Sequence, residues 1–161
     1  MTVTELPWTL GGRGLQLVQV PSLALHALGE DNATLAMELA PDLLTPYLLG
    51  EECQGLWRYR SKQIAENPLD SSWITRIAVD ARTSTPVGLA GFHGRPDARG
   101  MVEVGYRIDP AFRRQGYARA ALGYFSTSRV ANPKYTPFER PSVRQHRITK
   151  SDQPVQFLRS R

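Results

Sequence analysis

The chain has 161 residues, 41% hydrophobic and 22% charged, with a formal net charge of +5. That length allows one domain with a short appendage, and the composition is that of a globular chain rather than a disordered one. The apolar runs fall short of the ~20 residues a bilayer span needs, no secretory signal is visible at the N-terminus, and a single cysteine, Cys53, excludes a disulfide framework and a thiolate zinc cluster.

Residues 1–13 read as an N-terminal extension. Leu15-Gln16-Leu17-Val18-Gln19-Val20 alternates and predicts a strand. Ser22 then stands where it could cap a helix through Leu23, Leu25, His26 and Leu28, and Asp31 or Asn32 opens a further turn toward Leu39. From Leu48 to Ala65 the residues Cys53, Leu56, Trp57, Arg60 and Ile64 recur at helical spacing, until Asn67-Pro68 ends the pattern. The period then changes. Ser72 to Val79 and Val87 to His93 read as the two strands of a hairpin around a polar turn. After a Gly/Pro/Asp-rich turn, MVEVGYRI at Met101–Ile108 is the clearest strand. It places Val102, Val104, Tyr106 and Ile108 on one face and Glu103, Gly105 and Arg107 on the other. Ala118, Ala121, Leu122 and Phe125 follow at i, i+3, i+4 and i+7, the buried stripe of a helix. Residues 14–128 thus read as one α/β domain.

The remainder differs. Residues 1–128 carry 12 basic and 13 acidic side chains, and residues 129–161 carry 8 basic and 2 acidic. The basic character therefore belongs to the tail, where Pro133, Pro137, Pro141 and Pro154 break any long helix. Residues 129–161 read as an irregular, basic, Pro-rich segment, and any nucleic-acid contact is expected only there.

Chemistry concentrates between the last clear strand and the helix after it, at Arg113-Arg114-Gln115-Gly116-Tyr117-Ala118. A helix N-terminus offers unpaired N–H groups and the positive end of a dipole. Gly116 lets a ligand approach the backbone, and Arg113, Arg114 and Arg119 add charge, so the expectation is a phosphate or pyrophosphate site. The Walker and Rossmann glycine patterns are both absent.

The pattern [RQ]-x-x-G-x-[GA] at Arg113 to Ala118, preceded by Val102-Glu103-Val104-Gly105-Tyr106 and Asp109-Pro110, resembles the acetyl-CoA motif of the GNAT N-acetyltransferases, in their ribosomal-protein-alanine acetyltransferase-like branch. The resemblance covers roughly Gly14 to Phe125. It implies a mixed, mostly antiparallel central sheet flanked by helices, and an enzyme that moves an acetyl group from acetyl-CoA to a primary amine. The acceptor would be a protein N-terminal amine or a small molecule, in the cytoplasm or nucleus, with no metal and no membrane partner. Backbone N–H groups of Gln115, Gly116, Tyr117 and Ala118 would hold the pyrophosphate. Arg113 and Arg114 would add charge, and the strand end at Ile108 would pair with the pantetheine arm. Glu103 matches a glutamate proposed in that branch as general base, needed because an alkylammonium must lose a proton before it attacks.

Other readings stand beside these. Glu103 on a half-exposed strand could be a structural carboxylate, and His93 a base or a hydrogen-bonded structural histidine. His26 and His146 show no metal-ligand spacing. Cys53 and Trp57 fit the core, and Tyr59 could line an acceptor pocket. After Phe125 the family's strand–helix–strand ending, with its general-acid tyrosine, has no counterpart. The fold is therefore expected to lack its usual C-terminal strands. A frameshift, retained intron or alternative exon would leave such an ending. Two alternatives follow: a CoA-binding but inactive relative, or an interaction protein acting through its basic tail.

Overall fold

The computed structural model describes residues 8–9, 14–99, 101–127 and 142–147. A short strand β1 (Trp8–Thr9) precedes β2 (Leu15–Val18). Four helices follow: α1 (Ser22–Gly29), α2 (Ala33–Leu39), α3 (Pro46–Leu49) and α4 (Glu51–Glu66). Then come β3 (Arg76–Asp80), β4 (Thr85–Phe92), β5 (Met101–Ile108), α5 (Tyr117–Thr127) and β6 (Ser142–Arg147). The sheet runs in the order β1-β2-β3-β4-β5-β6. Every neighbouring pair is antiparallel except β5 and β6, which are parallel.

Local chemistry sets the helix boundaries. The Asn32 side chain accepts the Leu35 N–H at 3.1 Å and starts α2, as an Asx cap does. Thr45 does the same for α3 through Leu48 N–H at 3.3 Å, with Pro46 in the first turn. Ser22 does not cap α1: it is the first helical residue, after Pro21, and no side chain caps that end. The helix expected over Leu48–Ala65 is two helices divided at Gly50, whose extended backbone stops α3 and opens α4.

The sheet is covered on both faces. On one side α1, α2, α3 and α4 pack through Leu25, Leu28, Leu48 and Trp57 onto Ile77 and Leu89. On the other, α5 packs through Ala121 and Phe125 onto Phe92 and Val104. Burial on both faces explains why every residue of β3 is buried and why its sequence hardly alternates. Phe92 meets Phe125 at 5.0 Å between ring centroids, edge to face. The α4 stripe is the one its spacing predicts: Cys53, Leu56, Trp57, Arg60 and Ile64 are its buried residues. Trp57 also donates its indole N–H to the Leu48 carbonyl at 2.7 Å, tying α4 to α3.

Two strands start elsewhere than expected, and one of these changes is small: β4 begins at Thr85 rather than Val87. The expected strand from Ser72 begins only at Arg76, because a 3-10 turn at Pro68–Ser72 hands the N–H groups of Trp73 and Ile74 to the Asp70 carbonyl. The register of β3 with β4 then slips between Ala78 and Val79. This is a bulge that re-aims β4. It brings Gly88 against the end of β5, where a Cβ would lie 2.2 Å from the Arg107 carbonyl oxygen, so only glycine fits.

One part of residues 129–161 is described, the strand Ser142–Arg147, which pairs in parallel with Met101–Tyr106. The sequence hid this strand because Ser142–Arg147 is polar and basic and lacks the apolar alternation that marks a half-buried strand. The rest of the tail, and the N-terminal extension apart from Trp8–Thr9, lie outside the described residues.

Candidate functional site

The strand β5 leads through Asp109 into a 3-10 turn, Pro110–Phe112, started by the Asp109 side chain accepting the Ala111 N–H at 2.9 Å. The chain then reverses through two left-handed residues, Arg114 (φ 62°) and Gly116 (φ 89°), before α5 begins at Tyr117. A left-handed arginine is uncommon and costs about 1–3 kcal/mol where nothing compensates. A Cβ built on Gly116 would meet nothing within 4 Å. Backbone conformation therefore demands glycine here, and the space beside it is open to a ligand. The first N–H groups of α5 have no intrahelical acceptor. Arg113, Arg114, Gln115, Gly116 and Arg119 are all exposed around them. A flexible, anionic phosphodiester group fits that combination of open backbone, helix dipole and guanidinium charge.

Each expected donor-site residue lies on this turn or at its edges. Arg113 does more than lend charge, because its Nε donates to the Ile108 carbonyl at 3.1 Å and locks the turn to the strand it leaves. Gln115 reaches back to the Ala111 carbonyl at 3.4 Å. Ile108 is buried and pairs with Gly88 on the β4 side. On the other side, the β5–β6 ladder among the described residues ends at Tyr106. Tyr117 turns its ring edge to face Phe112 at 6.4 Å and donates its hydroxyl proton to Asp80 at 2.7 Å.

Glu103 lies toward the other end of β5. Ile108 lies five steps along the strand from it, about 17 Å at the usual rise. Its carboxylate is 29% exposed and 3.5 Å from His93 Nδ1. The two residues also share a backbone hydrogen bond, His93 N–H to the Glu103 carbonyl at 2.8 Å. The His93 carbonyl accepts from Arg60 at 2.8 Å and from Gln63 at 2.9 Å. Arg60 further binds the Thr75 hydroxyl at 3.1 Å and the Gln63 amide oxygen at 2.6 Å. Gln63 holds Asp70, and Asp70 holds Arg95 at 2.7 Å. Burial lowers the Arg60 pKa to about 10, yet these acceptors keep the guanidinium in place. An open cleft of about 440 Å³, lined by Asp70, Gly94, Arg95 and Pro96, adjoins this network.

Several contributors were not legible in the sequence. The Arg107 guanidinium is buried and donates to the Glu52 carbonyl at the start of α4. The Tyr47 hydroxyl is buried with no hydrogen-bond partner among the described residues, and burial raises its pKa. Asp80 meets Tyr117 across 37 positions of sequence. Cys53 and Trp57 are core residues. Tyr59 is exposed on α4 beneath the Arg60 guanidinium. His26 bonds the Ser61 hydroxyl at 2.8 Å. Among the described residues no three metal-ligating side chains gather, and no helix is long and apolar enough to cross a membrane.

The strand–turn–helix unit and the sheet around it form an α/β domain with a turn that is open at Gly116 and set about with arginines. The acetyltransferase (GNAT) domain family matches residues 23–132, and the chain belongs to that family. Comparison with curated proteins finds no match. Among solved structures, the chain is similar to a protein assigned as a ribosomal-protein-serine acetyltransferase from Vibrio cholerae. The two share 16% identity over 76% of this chain and 66% of that one, with a TM-score of 0.45. It is also similar to the ribosomal-protein-S5-alanine acetyltransferase from Vibrio fischeri, at 15% identity over 73% and 63% of the two chains, with a TM-score of 0.42. The chain thus spans just under two thirds of the length of these two structures.

Proposed function

We propose that this chain transfers an acetyl group from acetyl-CoA to a primary amine, a protein N-terminal amine or a small molecule, in the cytoplasm. The observation that carries the reading is the left-handed turn Arg114–Gly116 at the start of α5, open at Gly116 and ringed by arginines, in a chain of the GNAT family. Acetyl-CoA supplies an activated thioester. Backbone N–H groups of Gln115, Gly116, Tyr117 and Ala118 hold its pyrophosphate, with Arg113 and Arg114 adding charge. The strand end at Ile108 offers backbone to the pantetheine arm. Glu103, directly or through a water, takes the proton that the acceptor ammonium must lose. Formation of the carbon–nitrogen bond then breaks the carbon–sulfur bond and releases CoA. The chemistry calls for no metal.

Calorimetric titration of folded protein with acetyl-CoA tests the donor site, and screening of amines tests the transfer. A folded chain that ignores acetyl-CoA would sink the reading. One observation favours a second reading, donor binding without turnover. The strand β6 pairs along Met101–Tyr106 and so covers the β5 edge at Glu103, leaving the strand end at Arg107–Ile108 beyond the described ladder. Binding of acetyl-CoA with no acetylated product from any amine would select it.

A further inference from the structure

A buried carboxylate that the transfer reaction does not use stands behind the donor turn. Asp80 closes β3 and is 3% exposed. Its Oδ2 accepts the Tyr117 hydroxyl at 2.7 Å and an Arg82 guanidinium N–H at 3.2 Å, and its Oδ1 accepts the Arg82 backbone N–H at 2.9 Å. Its own backbone is fixed by pairing with Leu15 on β2 and Thr85 on β4. Tyr117 is the first residue of α5 and follows Gly116 directly. Between Phe112 and Tyr117 the described side-chain anchors are Arg113 to Ile108, Gln115 to Ala111, the Phe112–Tyr117 ring contact and the Tyr117–Asp80 bond. Of these, the Asp80 bond reaches β3, two strands from β5, beside the apolar packing of Phe112 and Tyr117 on the core under α5.

We propose that Asp80 is a positioning residue for the donor. Through the Tyr117 hydroxyl it fixes the first turn of α5, and with it the direction of the N–H groups that face the pyrophosphate. The inference rests on the acetyl-CoA reading above. Its physical content is a sign. A carboxylate near an anion site repels the anion, so removing it should tighten CoA binding if charge alone mattered. If Asp80 acts by holding Tyr117, removing it should weaken CoA binding instead.

The test measures the affinity of the full chain and of two variants, Asp80→Asn and Tyr117→Phe, for CoA and for pantetheine, which lacks the pyrophosphate. Amide exchange at Ala120 and Ala121 is followed in the same samples, since the Ala120 N–H bonds the Gly116 carbonyl. Each variant is expected to weaken CoA binding by roughly three- to tenfold, the scale of one ordinary net hydrogen bond, since the contact acts on the donor at one remove. The double variant should be no weaker than the single ones, pantetheine affinity should not move, and exchange should quicken. An Asp80→Asn chain that binds CoA as well as the parent, or better, overturns the proposal. Should Asp80→Asn fail to fold, Tyr117→Phe decides, and an unchanged CoA affinity overturns it. A parent chain that binds no CoA sinks the acetyl-CoA reading instead. The exchange rates still judge the link in that case, and unchanged exchange in Tyr117→Phe overturns it.

Discussion

At its C-terminal end β5 runs into a turn whose form comes from backbone conformation, two left-handed residues and a helix start, with its guanidinium groups in solvent. Around Glu103, toward its other end, the same strand is gripped through His93 by a chain of side chains running from Arg60 through Gln63 and Asp70 to Arg95. The contrast suits the proposed division of labour. A mobile diester needs N–H groups, which any sequence supplies once the turn is formed. A general base needs a side chain held at one place, which takes partners that are themselves held. Apart from Arg113 and Tyr117, whose side chains anchor it, the exposed turn therefore tolerates side-chain change and is sensitive to backbone change, and the network is the reverse.

Four substitutions or conditions sharpen that contrast. Glu103→Gln should lower kcat for an accepted amine by roughly 100-fold or more, the range of general-base losses, with CoA affinity unchanged. Steady-state kinetics beside calorimetry measures this, and a variant of undiminished kcat would return Glu103 to a structural role. Arg60→Ala removes a buried guanidinium, strands the Thr75 and Gln63 acceptors and leaves the His93 carbonyl with the Gln63 bond alone. Urea unfolding should show a loss of about 3 kcal/mol, with CoA affinity in the surviving folded protein within twofold. A loss below about 1 kcal/mol would show the network to be dispensable. Gly116→Val acts at the opposite end. A β-branched residue at φ 89° is strained, and the cost should be about 1–2 kcal/mol of stability and roughly tenfold in CoA affinity. Full CoA affinity in this variant would place the anion elsewhere.

The smallest effect is one of pH. Hydrogen bonds from Arg82 and then Tyr117 lower the Asp80 pKa from 3.8 to about 2. Ionised Asp80 thus stabilises the fold fully above its unfolded pKa. That contribution fades as pH falls from about 4 through about 2 and is gone below that, where both states are protonated. Urea midpoints of the parent chain should drop more steeply over that window than those of Asp80→Asn. Parallel slopes would show that the carboxylate is not held as the geometry indicates.

Much of the framework was legible because it is written in local periodicity. Met101–Ile108 occupies the span its alternation predicts, and the α4 stripe is buried residue for residue as its spacing predicts. The donor turn was legible too, since a glycine between a strand and an amphipathic helix leaves few conformations for the backbone. The misplaced boundary at Ser72 occurred where a local 3-10 turn competed with the strand pattern. Trp73 and Ile74 have strand propensity, but the Asp70 carbonyl captures their N–H groups. His93 showed no partner in sequence and stands 3.5 Å from Glu103 in space.

The sequence by itself thus determined the order of helices and strands from β2 to α5, the buried stripes and the position of the glycine turn before α5, because each depends on neighbours within a few residues. The tertiary structure alone decided the rest. It placed β6 beside β5, set Gly88 against the Arg107 carbonyl, joined Arg60 to His93 and brought Asp80 to Tyr117. These contacts join residues far apart in the chain. They form only when the sheet and helices have packed, so no spacing within the sequence encodes them.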